Sequence, residues 1–445
     1  MICIIIILTL LRQYRIDPMS ELKKVLIVTY YWPPAGGPAI QRTLKFVKYM
    51  RFFGWEPVIL TVENGEYPAI DPSLIQEIPD NIQVYKTKAF QPFQLYRMLT
   101  GKKGNTHNNA NVFGQKDTTF VERLAKWIRL NLFIPDARIG WYAYAVKAAK
   151  KIIEQEHIDL IYSSSPPHSL QLIAQKIAKQ NKIKWVADFR DPWSELVHYQ
   201  SYKRTWLTRK IDSHFEKSVF RSANRLVAAA NDYATCIKTH VDRKIEVIYN
   251  GYDPSDFPKP KSRNTEDFLI TYTGELSEDR IPHALLRALS RLEHSNIKLQ
   301  FIGNTCPELK QEIQRLNLGN KVMLKPYMPH IASIAELQQS DLLLLVINQV
   351  ANGKGIVPGK IFEYLGTRKP ILCLGDPTGE AGEIIKTTNS GFCIAHHNEE
   401  EIFILLSRLS SGVLPSLSFQ IEQFERKNET GQLCDIFNTL VNKPS

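Results

Sequence analysis

The sequence predicts an α/β protein made of two doubly wound parallel sheets in tandem. Three observations predict it. The chain has 445 residues, more than one comfortable core holds and enough for two domains of about 200 residues each. Beyond Lys23, short apolar runs rich in β-branched residues alternate with longer amphipathic stretches, the pattern of βαβ units. The alternation then stops across "NGYDPSDFPKPKSRNTEDF" (250–268), where prolines and charges concentrate as they do in a linker. An N-terminal domain is thus expected over 19–255 and a C-terminal one over 256–445, whose last helix can pack back on the first domain.

In the first half the expected strands are "KVLIVTYY", "PVILT", "IQVYKT", "DLIYSS", "KWVADF", "RLVAAA" and "IEVIYN". Helices are expected between them over 40–53, 121–132, 142–156, 169–180 and 207–221. The polar, Asn/Gly-rich section 91–119 reads as a mobile loop. In the second half the strands are "LITYTG", "IKLQFIG", "KVMLKP", "DLLLLVI", "PILCLG" and "GFCIA", with helices near 283–292, 307–316, 331–339 and 360–365. Two such sheets bind ligands at the carboxyl ends of their strands.

Residues 1–18 stand apart. The apolar run in "MICIIIILTLLRQYRIDPMSELKK" is about ten residues, too short to span a bilayer. It has no basic segment before it and no small-residue cleavage site after it. Since Met19 opens a stretch that reads as an ordinary cytosolic start, 1–18 is expected to be an over-extended gene start or a membrane-touching tail outside the fold.

Composition narrows the function. Apolar residues at 44% and charged residues at 23% fit a soluble globular protein and exclude a disordered or polytopic membrane chain. A net charge of +11 favours anionic partners: nucleotides and their sugars, anionic lipid surfaces, or nucleic acid. The basic residues are scattered, with no RNA-binding or zinc-finger pattern, so no nucleic-acid partner is expected. The six cysteines lack any CxxC spacing, and His396–His397 lack carboxylate or thiol partners, so neither a disulfide framework nor a metal site is expected.

Candidate site residues cluster at predicted strand ends. Gly36 and Gly37 open the first helix in "TYYWPPAGGPAIQR", where backbone amides can meet a phosphate or sugar; the alternative is a plain turn. "YTGELSEDRIP" puts Gly274 at a strand end and Arg280 before a helix, while "VPGKIFEYLG" puts Gly359 and Lys360 at another helix start. If both strands are parallel, these ends share one sheet edge, and two cations with two glycine-opened amide sets converge on one diphosphate. Glu363, one turn past Lys360, can accept hydrogen bonds from ribose hydroxyls, or the two can form a surface ion pair. In the first domain "SSSPPHS" sets His168 at a helix start, and "DFRDPW" sets Asp188, Arg190 and Asp191 after a strand. His168 can equally be an ordinary helix-start residue, and Arg190 with Asp191 a loop brace.

Together "YYWPPAGGPAIQR", "SSSPPHS", "DFRDPW", "YNGYD", "YTGELSEDR" and "PGKIFEYLGTRKPI" resemble the retaining glycosyltransferases of family 4, over nearly everything after Lys23. The resemblance implies a GT-B fold, two Rossmann-like domains facing a central cleft, with the donor nucleotide mainly on the second domain and the acceptor mainly on the first. It implies that Glu363 is the second acid of the E-x7-E motif and holds the ribose. Gly355 stands where that motif has its first acid, which normally lies at the transferred sugar. Glu275 stands where an arginine is common, and Arg280 stands near the usual lysine position. The implied reaction is metal-independent hexosyl transfer from a nucleotide-diphosphate sugar to an acceptor hydroxyl, with no cofactor. Arg280 and Lys360 would stabilise the leaving diphosphate, and His168 would orient the donor sugar.

The resemblance also suggests a glycan or lipid-linked acceptor, a place in surface polysaccharide or lipopolysaccharide biosynthesis, and a cytoplasmic location. Peripheral contact with the inner face of an anionic membrane is suggested by the charge and by the aromatic, basic "HYQSYKRTWLTRK", whose alternative is a solvated amphipathic helix with Trp206 in the core. The competing functions are a GT-B sugar-nucleotide epimerase, which would need an acid and a base carboxylate at the sugar, and a non-catalytic transferase-like subunit that binds nucleotide or glycan.

Overall fold

The computed structural model describes residues 22–63, 65–67, 69–91, 120–193, 204–259, 266–292, 295–350, 353–413 and 416–442. The extension 1–18, most of the loop at 91–119, the start of "HYQSYKRTWLTRK" and part of the linker lie outside them. The described residues form two compact units, drawn from Met1–Ala228, Ile237–Glu246 and Thr430–Ser445, and from Ala229–Cys236 and Val247–Glu429.

The first unit is built on a seven-stranded sheet of β1 (Lys23–Val28), β2 (Trp55–Val62), β3 (Gln83–Thr87), β4 (Leu160–Ser165), β5 (Lys184–Phe189), β6 (Arg225–Ala228) and β7 (Ile245–Val247), in the order β3-β2-β1-β4-β5-β6-β7. The ladders from β3 to β6 are parallel. Parallel strands are covered on both faces, which is why Val25, Leu26, Ile27 and Val28 form one continuous apolar run with no exposed surface. Helices α1 (Pro38–Met50), α2 (Phe120–Leu132), α3 (Tyr142–Glu156), α4 (Ser169–Asn181) and α5 (Trp206–Ser222) connect the strands. Proline at the first position of α1 suits the end of a helix where no amide partner is needed.

Helix α6 (Asn231–Lys238) follows β6, and α13 (Arg426–Val441) is the last helix of the described residues. Between them, in the second unit, six strands lie in the order β10-β9-β8-β11-β12-β13. These are β8 (Phe268–Thr273), β9 (Ile297–Ile302), β10 (Val322–Lys325), β11 (Leu342–Val346), β12 (Ile371–Leu374) and β13 (Gly391–Ile394), all paired in parallel. The helices of this unit are α7 (His283–Arg291), α8 (Pro307–Arg315), α9 (His330–Gln338), α10 (Lys360–Thr367), α11 (Glu380–Thr388) and α12 (Glu399–Ser410), while α13 belongs to the first unit from Thr430 onward. In β11, Leu342 and Leu344 enter one apolar cluster while Leu343 and Leu345 enter the other, so the period-two pleat turns the run "LLLLV" into both faces of the core.

All thirteen predicted strands are present. Helices α6, α11 and α12 were not predicted. Each sheet reverses its order once, between β1 and β4 and between β8 and β11, and a doubly wound sheet opens its ligand crevice at the carboxyl ends of such a strand pair.

Candidate functional site

At the second sheet's reversal, β8 ends at Thr273 and runs into Gly274, whose φ of +108° is a conformation that side-chain-bearing residues rarely adopt. The ammonium of Lys360, at the first position of α10, lies over this turn: its Nζ donates to the Thr273 carbonyl at 2.7 Å and sits 4.1 Å from the centre of the Tyr272 ring. A Cβ on Gly274 would come within 3.0 Å of that Nζ. Glycine therefore leaves the room that the ammonium uses.

Arg280 closes the same turn from the other side. Its Nε donates to Asn348 Oδ1 at 2.9 Å and Nη1 to the Glu275 carbonyl at 3.3 Å, while Asn348 Nδ2 donates to Asp279 Oδ2 at 2.6 Å. Burial, and next the positive charge of Arg280, push the Lys360 ammonium down to about 7, with Glu363 opposing the shift. Two cations held near each other at the mouth of a strand pair form a place that an anion would relieve. Asn348, in the loop after β11, escaped the sequence reading.

Lys360 and Glu363 do not form the surface ion pair offered as an alternative. Lys360 turns to Thr273, and Glu363 Oε1 lies 3.2 Å from His330 Nε2, at the start of α9. Gly359 precedes α10 with its carbonyl accepting from Phe362 N at 3.3 Å. Gly355 is buried, and a Cβ built on it would lie 1.9 Å from Asp232 Oδ2, so no acid fits at that position without displacing Asp232.

At the first sheet's reversal, Gly37 caps α1 with φ +100°, whereas the Gly36 amide is committed to the Ala69 carbonyl at 2.9 Å. His168 precedes α4 and is only 1% exposed. Its ring stacks on Trp193 at 4.8 Å and 14°, and its two nitrogens have no well-formed hydrogen bond; the nearest backbone partner is at Pro192. Burial, then the charge of Arg190, lowers its pKa to about 3, so the imidazole is neutral at ordinary pH. Asp136, unnoticed in the sequence, holds the start of α4: its carboxylate accepts from the Ser169 amide and hydroxyl, both at 2.9 Å.

Asp188, expected among the substrate contacts, is instead enclosed. Its carboxylate accepts two bonds from Arg42, at 2.9 and 2.8 Å, one from Tyr162 at 2.9 Å and one from Ser164 at 2.6 Å. Burial alone would raise its pKa, but Arg42 and these donors hold it below the ordinary carboxylate value. With no exposed surface, Asp188 ties α1 to β4 and β5. Arg190 is nearly buried; its amide donates to the Ser165 carbonyl at 2.9 Å, and its guanidinium donates to the Pro166 carbonyl and to Ser164 Oγ at 3.4 Å. Asp191 follows it, half-buried, and adds a negative charge beside the guanidinium. Among the described residues no helix is long and apolar enough to cross a membrane.

Comparison with known proteins gives this arrangement its context. Residues 111–256 match the family model described as Glycosyltransferase Family 4, and residues 254–412 match the one described as Glycosyl transferases group 1. No curated protein matches the sequence. Among solved structures the chain is similar to a glycosyltransferase from Rickettsia africae ESF-5, at 15% identity and TM-score 0.60, covering 96% of this chain and 100% of that one. It is similar to Anabaena Alr3699/HepE in complex with UDP and glucose, at 15% identity and TM-score 0.59, covering 94% of this chain and 100% of that one. A third is the apo form of the lipopolysaccharide outer core galactosyltransferase WaaB, at 13% identity and TM-score 0.55, covering 94% of this chain and 100% of that one. Two consecutive transferase family matches, on two parallel doubly wound sheets shared with these structures, establish that the chain belongs to the family 4-like glycosyltransferases of GT-B fold.

Proposed function

We propose that the enzyme transfers a hexose from a nucleotide-diphosphate sugar to a hydroxyl of a glycan or lipid-linked acceptor, with retention at the anomeric carbon. The observation that carries the reading is the convergence of Lys360, Arg280 and the Gly274 turn at the β8–β11 reversal. As the glycosidic bond breaks, charge accumulates on the leaving diphosphate, and these preorganised donors meet it where it forms. Protonated Lys360 and Arg280 supply the positive charge; the start of α10 behind Gly359 supplies a dipole. Glu363 would accept from the ribose hydroxyls, exchanging its partner His330 for them. No metal or cofactor enters this reading.

HepE, solved with UDP and glucose, and the lipopolysaccharide galactosyltransferase WaaB support a nucleotide-sugar donor and a role in surface polysaccharide or lipopolysaccharide assembly. A cytoplasmic enzyme resting on the inner membrane face would suit such an acceptor. In support, α2 and the start of α5, joined by a hydrogen bond from Thr205 N to Asn131 Oδ1 at 2.7 Å, carry exposed Leu124, Trp127, Trp206 and Leu207. Trp206 is 67% exposed, so the alternative that buried it in the core does not hold.

The test is a screen of the protein from Met19 against UDP-, GDP-, ADP- and dTDP-sugars, reading thermal shift and nucleotide release for wild type and Glu363→Ala. A donor-specific shift that Glu363→Ala removes supports the nucleotide site, and slow hydrolysis of that donor names the sugar. A folded protein that no donor shifts would replace this reading with a non-catalytic subunit.

A further inference from the structure

Gly355 closes a single helical turn, Gly353–Gly355, in the loop between β11 and α10. The space that a side chain at 355 would enter already holds a carboxylate: a Cβ there would meet Asp232 Oδ2 at 1.9 Å and Asp232 Cγ at 2.1 Å. That carboxylate comes from the first turn of α6, far away in sequence but in the same compact unit as Gly355.

Its position is held from below. Glu380, at the start of α11, accepts from the amides of Asn231 and Asp232 at 2.6 and 3.0 Å and from the Tyr249 hydroxyl at 2.6 Å. Asn231 Nδ2 donates in turn to the Tyr249 hydroxyl at 2.5 Å. These bonds fix the first turn of α6 against α11, while the Asp232 side chain remains at an exposed residue. The loop it touches leads within five residues to Lys360, whose ammonium lies at the β8–β11 reversal.

Charge decides what such a group can hold. A carboxylate repels a diphosphate and accepts hydrogen bonds from hydroxyls. The cations Arg280 and Lys360 lie at the Gly274 turn, where they donate to the Glu275 and Thr273 carbonyls. A ligand with an anionic middle and a neutral, hydroxyl-rich end would then lay its anion on the cations and its hydroxyls on Asp232.

We propose that Asp232 binds hydroxyls of the transferred sugar, standing in for the acid absent at 355, and that Gly355 is required because any side chain there would displace it. This rests on the nucleotide-sugar reading of the same crevice. It adds a residue from another element and predicts that the two positions act as a pair.

The experiment measures, by calorimetry, the affinity of UDP, GDP, ADP and dTDP and of their hexose conjugates for wild type, Asp232→Asn, Gly355→Ala and the double variant Asp232→Ala/Gly355→Glu, each checked for folding by its thermal melt. Asp232→Asn and Gly355→Ala are expected to leave the free nucleoside diphosphate within about twofold of wild type and to weaken its hexose conjugate about tenfold, as loss of a charged hydrogen bond does. The double variant is expected to regain most of the conjugate's affinity, and turnover should follow it. Equal losses for the diphosphate and its conjugate, or no loss for either, would overturn the assignment of Asp232. A folded wild type that binds none of the eight classes of probe would instead overturn the nucleotide-sugar reading beneath it.

Discussion

Arg42 grips Asp188 with two parallel hydrogen bonds, 2.9 Å from Nε and 2.8 Å from Nη2, and neither side chain reaches solvent. A fork-to-fork pair of this kind fixes orientation as well as charge. Removing one partner leaves the other as an uncompensated buried ion, at a cost of about 3–5 kcal/mol. Asp188→Ala is therefore expected to unfold at markedly lower urea concentration, and Asp188→Ala/Arg42→Met to recover part of the loss. A stability unchanged by Asp188→Ala would show that the pair contributes nothing to the fold.

Lys360 titrates near neutrality because burial and Arg280 disfavour its charge. A bound diphosphate favours the charged form, so binding takes up a proton on the alkaline side of about 7. Affinity for a nucleotide-diphosphate sugar should be flat below pH 6.5 and fall by up to about tenfold per pH unit above 7.5. Calorimetry in buffers of differing ionisation enthalpy reads the proton uptake directly. Lys360→Met should bind weakly with a flat profile; an equally steep profile in that variant would assign the titration elsewhere.

His168 makes the first unit acid-sensitive. Its folded pKa of about 3 lies below the ordinary value of 6.5, so the unfolded chain binds the proton more readily. Stability from this group is complete above pH 6.5 and declines as pH falls toward 3. At pH 5 the expected loss is about 2 kcal/mol. Denaturant melts at pH 7 and pH 5 should show a smaller difference for His168→Gln than for wild type; equal differences would mean that His168 takes up its proton in the folded state.

Trp206 lies under Lys210, whose ammonium is 4.9 Å from the ring centre, and Trp127 on the adjoining helix is 46% exposed. Tryptophan paired with a cation suits the headgroup layer of an anionic bilayer. Trp206→Ser/Leu207→Ser is expected to reduce co-sedimentation with phosphatidylglycerol-containing vesicles by about tenfold, with wild-type binding weakened by salt. Binding that is absent in wild type, or indifferent to the two substitutions, would detach the surface from any membrane.

The sequence made the sheets legible because a doubly covered strand must be apolar along its whole length, and Gly or Pro marks where it stops. Helices were harder to read. In α12, "EEEIFILLSRLS" packs a continuous apolar run that imitates a buried strand, and α11, "EAGEIIKTT", carries a glycine and four β-branched residues in nine. The start of α6 owes its anchor to Glu380, 149 residues onward. The site divides in the same way. Gly274, Arg280 and Lys360 followed from strand-end arithmetic, because parallel strands align their carboxyl ends. Residues defined by a distant partner did not: His330 meets Glu363 across 33 positions, Asn348 meets Arg280 across 68, and Arg42 meets Asp188 across 146. Asp188 was misjudged because its place after a strand resembles that of a cleft residue, while its burial depends on Arg42.

The C-terminal helix α13 carries a consequence for synthesis. From Thr430 onward the chain belongs to the first unit, where the Phe437 ring meets Trp55 at 5.2 Å and Tyr162 at 5.9 Å, and Asn438 accepts from Trp55 Nε1 at 3.2 Å. Trp55 and Asn438 are 383 residues apart. At roughly 5–20 residues per second, a ribosome needs about 20–80 seconds between making one and the other. For that interval the Trp55 and Tyr162 rings of the nascent first sheet lack the cover of Phe437, so the growing polypeptide is a natural client for chaperones until α13 emerges, and a chain cut short before Phe437 would leave them uncovered.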